Sequence, residues 1–323
     1  MLCAKGLTTI RGLDEDMAIS NPPQLPFTPS RILHLDEGYL AIGQDGEMLL
    51  LDQNLTYSDE PVSPFPISIE QACIIDNNLV ATWLDAELML ARMASINLDN
   101  KLVEGPTRAE LRTQKSLATA LHPASNIWSR VLDSQPLALA TDGKRIAFVL
   151  WKKGIYCLNP NSSEIWRSPE PEWPEVSNMP RGDETVCMNF IDSEIHIWCA
   201  AGGRLVLNAD DGTIIRTEKV EIDAVIENVY RDSQHELICS NNGESFHFTD
   251  GLLRLQTNIT GPIQNTIWDS DLDAWRISGW RKEVLLLDKP TISEYPEIPV
   301  HCLNIDGQWW NLFNDGNWKL SNL

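Results

Sequence analysis

The sequence predicts an all-β fold, a seven-bladed β-propeller occupying residues 1–323 as one domain. Three observations predict it: a strand–turn–strand unit recurs along the chain, its strands carry sheet chemistry, and the two chain ends complement each other.

The unit reads Asp, two turn-like residues, an apolar strand, a tight turn and a second strand. Copies begin at Asp36 (DEGYLAIGQDGEMLLLD), Asp76, Asp142 (DGKRIAFVLWKKGIYCLN), Asp192, Asp232, Asp271 and Asp306 (DGQWWNLFNDGNWKLSN). The mean step is 45 residues, with one long step of 66 between Asp76 and Asp142. A period in this range marks a solenoid, an array or a propeller.

Strand chemistry chooses among these. The runs are short, rich in Ile, Leu, Val, Trp and Phe, and bounded by D-G, N-G and G-G turns. Helical repeats would need apolar residues at i, i+3 and i+4, which these runs lack. Another strand precedes each copy (RILHL, QACII, PLALA, VCMNF, IENVY, NTIW, HCLNI), and a fourth follows most (KLVEG, EIWRS, TIIRT, LLRLQ). Four antiparallel strands make a blade. The seventh unit stops after its third strand, and GLTTIRG (6–12) is similar to the fourth strand GTIIRTE (212–218). The N-terminal strand is therefore expected to complete the last blade and protect its edge.

Composition bounds the function. A net charge of −21 excludes general nucleic-acid binding, which needs a basic footprint, and disfavours anionic lipid surfaces. No stretch approaches a membrane span, and the first twenty residues lack an apolar signal region, so a cytoplasmic location is expected. Seven scattered cysteines without zinc spacing read as buried thiols. Asp269, Asp271 and Asp273 lack the Gly and the closing acid of a calcium loop, and the six histidines are dispersed. No nucleophile elbow, phosphate loop or dinucleotide fingerprint occurs, so no catalytic residue, cofactor or metal is expected. Twelve tryptophans can wedge blade against blade or form a sugar-binding platform.

GKRIAFVLWKKGIYCLNPNSSEIWRS (143–168) resembles a quinoprotein-type propeller repeat, and GGRLVLNADDGTIIRT (202–217) does so more weakly. The architecture is similar to that of seven-bladed WD-repeat proteins, although their Gly-His and Trp-Asp dipeptides are not kept. The resemblance implies a platform for protein partners more often than an enzyme. An enzyme (hydrolase or lyase) at the central channel and a carbohydrate-binding propeller are the alternatives.

In such a ring the first-to-second and third-to-fourth turns share one face, here the turn face. Second-to-third turns and inter-blade segments share the other, the connection face. Segments 13–30, 53–70, 98–135 and 168–184 are long, and all four are expected on the connection face as inter-blade links. The insertion 98–135, between blades two and three, predicts a short helix over 107–122, capped by Thr107 and Glu110 and ended by Pro123. Arg108, Arg112 and Lys115 form one stripe, which either rests on the chain's own carboxylates or docks an acidic partner segment. Segment 168–184 offers Glu170, Glu172 and Glu175 around Trp173, and Trp128 is expected in the same groove. These eight residues are the expected partner-binding set.

Overall fold

The computed structural model describes residues 21–113, 122–176 and 180–323. Its strands show why the chain forms a ring. Gly38–Gly43, Ile146–Leu150, His235–Ser240 and Ala274–Gly279, each a second strand, are buried along their whole length. A strand buried on both sides needs a neighbour against each face of its sheet. Radially stacked blades supply one on either side.

Seven antiparallel sheets result. Blade one holds Pro29–Leu35, Gly38–Gly43 and Met48–Leu51; blade two Gln71–Ile75, Asn78–Asp85, Leu90–Asn97 and Asn126–Leu132. Blade three holds Pro136–Thr141, Ile146–Leu150, Gly154–Leu158 and Glu164–Ser168; blade four Thr185–Ile191, Glu194–Cys199, Gly203–Asn208 and Ile214–Lys219. Blade five holds Ile226–Asp232, His235–Ser240, Glu244–Thr249 and Leu252–Asn258; blade six Ile263–Asp269, Ala274–Gly279, Lys282–Leu286 and Pro290–Glu294. Blade seven holds Pro299–Ile305, Gln308–Phe313 and Trp318–Leu320.

The first strands pack one against the next around the axis, and that of blade seven meets that of blade one. The seam is apolar: Ile32, Ala41 and Leu49 of blade one share a core with Leu303, Trp310 and Leu312 of blade seven. The expected closing strand, 6–12, lies outside the described residues. The chain just after it is nevertheless tied to blade seven, since Leu25 N donates to Gly316 O at 2.9 Å and Gln24 Nε2 to Asp315 O at 2.8 Å.

The repeated Asp turns do what their chemistry dictates. Asp76–Asn77 and Asp306–Gly307 both hold positive φ at two successive residues, the primed geometry that matches strand twist. In six blades the first strand carries a register shift at its connection-face end, as between Thr185 and Cys187. Such bulges sharpen the local twist.

The insertion is placed differently from expectation. KLVEG (101–105) is not a strand, and Asn126–Leu132 is the outer strand of blade two. Residues 98–125 therefore join the third and fourth strands of blade two rather than blades two and three. Instead of pairing with its own blade, 101–105 runs along the outer edge of blade one. Lys101 pairs with Asp59, Ser63 N donates to Glu104 at 2.9 Å, and Gly105 N donates to Ser63 O at 3.0 Å. A Cβ on Gly105 would lie 2.0 Å from Pro64 O, so the approach requires glycine. Blade one needs this cover because its own fourth strand has shrunk to a single bridge, Met48 to Val62. Segment 52–61 is likewise a third-to-fourth connection. Segment 63–70 joins blade one to blade two and 169–184 joins blade three to blade four, whereas 13–20 lies outside the described residues.

Candidate interaction face

The connection face carries its longest inter-blade link, 169–184, between blades three and four. Blade three's second-to-third turn carries Trp151, 51% exposed, with Lys152 Nζ 4.9 Å from its ring centre. Beside it runs the link 169–184. Its prolines stiffen it, and a 3-10 turn at Pro174–Val176 folds Trp173 and Val176 into the core between blades three and four. Trp173 is 4% exposed, and its ring lies so close over Gly203 that a Cβ there would meet Cδ1 at 2.5 Å. The indole is thus an anchor beneath its own loop and offers no surface to a partner. Glu170, Glu172 and Glu175 stay exposed around it.

The second half of the link is a ridge. Ala201 N donates to Gly182 O at 3.0 Å and Ala200 N to Glu184 O at 2.9 Å, fixing the ridge to blade four. A 540 Å³ depression on one side is lined by Trp151, Glu170, Arg181 and Asp183. An 890 Å³ depression on the other is lined by Arg181, Glu221, Asp223 and Val225, the last 55% exposed. Each holds an exposed apolar side chain within a rim of carboxylates.

Arg108 and Trp128 are engaged elsewhere. The capping box forms reciprocally, Thr107 N donating to Glu110 Oε2 at 2.7 Å and Glu110 N to Thr107 Oγ1 at 3.3 Å, and the helix spans Arg108–Thr113. Arg108 grips Asp85 with two hydrogen bonds, Nε to Oδ2 at 2.8 Å and NH2 to Oδ1 at 3.2 Å, and lies 3.4 Å from Glu87. The Asp85 side chain is fully buried at the end of blade two's second strand and also accepts from the amides of Glu87 and Leu88. The Arg108 hydrogen bond comes first among the causes that hold the Asp85 carboxyl below its ordinary value. Arg108 is therefore neutralised by the propeller itself. The Arg112 side chain and Lys115 lie outside the described residues.

Arg108→Ala should consequently lower the melting temperature, because it strips a buried carboxylate of its guanidinium. Adding Asp85→Asn should recover part of the loss. Melting curves of the two variants check this, and an unchanged single variant would remove Arg108 from the structural role.

Trp128 is on the outer strand of blade two, away from Trp173. Its Nε1 donates to Pro160 O at 2.7 Å, and Arg130 NH1 donates to Ser162 O at 2.9 Å, clamping blade two to blade three on the turn face. Trp166 repeats the contact one blade on, donating to Ala209 O at 2.9 Å. The sequence signal was available: NIWSR and EIWRS share Ile-Trp at the same place in successive outer strands.

Sequence reasoning also missed a cluster on the turn face. His235 and His247 lie on adjacent strands of blade five, where His235 pairs with Thr249 and Leu237 with His247. Both rings therefore share one sheet face, beside Trp268 of blade six. Among the described residues no three His, Cys, Asp or Glu side chains form a metal-ligating group, and no helix is long and apolar enough to cross a membrane.

Seven antiparallel sheets of three or four strands, their radial order and the closed seam decide the architecture. The fold is a seven-bladed β-propeller. Solved propellers align over nearly the whole chain. The β-propeller domain of Myceliophteria thermophila Cps50 (Swd1) matches with a TM-score of 0.63 and 9% identity, covering 93% of this chain and 98% of that one. The WD40 propeller domain of Doa1 matches with a TM-score of 0.61 and 10% identity, covering 94% and 96%. BamB from Moraxella catarrhalis matches with a TM-score of 0.57 and 12% identity, covering 92% and 97%. No family model and no curated protein matches the chain.

Proposed function

We propose that this propeller is a non-catalytic scaffold that binds other proteins through its connection face over blades three to five. The observation that carries the proposal is the half-exposed Trp151 beside a ridge flanked by two carboxylate-rimmed depressions. Aromatic anchors surrounded by polar rims are the usual energetic centres of protein interfaces. The WD40 likeness supports a platform of this kind. The rims carry Glu170, Asp183, Glu184, Glu221, Asp223 and Glu244 against Lys152, Arg181 and Lys219, so the partner surface is basic with an apolar tip. Arg108 of the basic stripe is already paired with Asp85, so the acidic segment considered for that stripe is not part of this reading. The reading includes a cytoplasmic setting, with which the six described cysteines, all free and buried, are compatible.

The double variant Trp151→Ala, Asp183→Lys tests it. Partners that co-purify with the wild-type chain from its native host should be lost, with the melting temperature nearly unchanged because both sites lie in exposed turns. Retention of every partner by the folded variant would overturn the proposal.

A further inference from the structure

On the opposite face, between blades five and six, His235, His247 and Thr249 converge at the edge of a 940 Å³ cavity. His247 Nε2 is 3.4 Å from His235 Nδ1, Thr249 Oγ1 is 3.3 Å from His235 Nδ1, and Thr249 Oγ1 is 3.5 Å from His247 Nε2. All three edges are longer than a well-formed hydrogen bond. They match instead the spacing of donors around a tetrahedral ion: ligands at zinc–nitrogen bond length stand about 3.3–3.4 Å apart. A point equidistant from the three atoms lies about 2.0 Å from each, the length of a zinc–imidazole bond.

We propose that His235 Nδ1, His247 Nε2 and Thr249 Oγ1 form a binding site for a divalent transition-metal ion of the zinc type. The surroundings are those of a ligating histidine. The His235 ring is stacked on Trp268 at 3.7 Å with a 17° interplanar angle, which fixes its plane. Its other nitrogen, Nε2, points to Asp273 Oδ1 at 3.8 Å and to Gln234 Nε2 at 3.4 Å. Two imidazoles and a hydroxyl leave coordination positions open to the cavity. Arg254 and Lys289 line it together with Asp273 and Asp288, so the fourth ligand would be water or a small anion.

The test uses the untagged full chain. Zinc chloride is titrated calorimetrically with millimolar magnesium present to occupy the acidic surface. One saturable equivalent is expected. His247→Ala and His235→Ala should each weaken binding at least tenfold. Cobalt(II) substituted for zinc should give visible tetrahedral absorption in the wild type and none in His247→Ala. Circular dichroism confirms that each variant folds; if the alanine variants do not, His247→Gln and Thr249→Val carry the comparison. Absence of a saturable equivalent, or binding unchanged in the folded histidine variants, would refute the site.

Discussion

Arg276→Met should cost about 3–5 kcal/mol of folding stability, a large share of what a domain possesses. Arg276 and its two carboxylate partners, Asp269 and Glu283, have side chains 3% exposed or less. Arg276 Nε donates to Asp269 Oδ2 at 2.8 Å and NH1 to Glu283 Oε1 at 3.2 Å, and the guanidinium lies 4.6 Å from the Trp309 ring centre. Glu283 is shared with blade seven, accepting from Asn311 Nδ2 at 2.8 Å and from Ser321 Oγ at 2.7 Å. Methionine keeps much of the side-chain volume but leaves two buried carboxylates without a cation. The network spans blades six and seven, next to the seam, so the loss falls on the closure of the ring. Urea titration of the variant measures the effect. Adding Glu283→Gln should restore part of it by removing one stranded charge. A single variant within 1 kcal/mol of wild type would show that the network does not hold the blades together.

Acidification from pH 7 to pH 5 should destabilise the fold through two buried histidines. Burial pushes His196 down to about 4 and His301 down to about 3. His196 keeps one contact to Glu194 at 2.9 Å, but burial outweighs it, and its Nδ1 has no partner among the described residues. His301 Nε2 also has none, and the neighbouring His34 adds to the downward shift. A histidine with a depressed folded pKa contributes stability that is complete above its unfolded value of 6.5. That stability fades as pH falls toward the folded value, because the unfolded chain takes up protons that the native state refuses. By pH 5 each site should have lost about 2 kcal/mol. Glu236 works in the opposite sense: burial raises its carboxyl, so its contribution is present at low pH and is lost as pH rises through the folded value. The histidines dominate this window because both titrate across it in the unfolded chain. Urea titrations at pH 7 and pH 5 should show the drop, and the double variant His196→Gln, His301→Gln should flatten it. An equal drop in the double variant would assign the acid sensitivity to other groups.

Much of the architecture was legible because each blade repeats local chemistry. Asp76–Asn77 and Asp306–Gly307 turn where their conformational preferences say they should, and EIWRS, TIIRT and LLRLQ fall on outer strands as expected. The capping box at Thr107 and Glu110 was likewise a local matter. KLVEG failed because its strand-like composition could not say which edge it would meet. Blade one's shortened outer strand offered one, and Lys101, Glu104 and Gly105 bind it.

The expected binding residues divide in the same way. Loop 168–184 links blades three and four as its position in the repeat predicts, and Glu170 lines a surface depression. Trp173 turned inward because the bare backbone at Gly203 gives its ring a seat. Arg108 found a buried acid twenty-three positions away in sequence, and His235 met His247 through hairpin register. By itself the sequence determined the strands, the turns and their sevenfold recurrence, because these depend on interactions within a few residues. Only the tertiary structure decided which charges are already neutralised and which side chains share a cavity, because those contacts join different strands and blades.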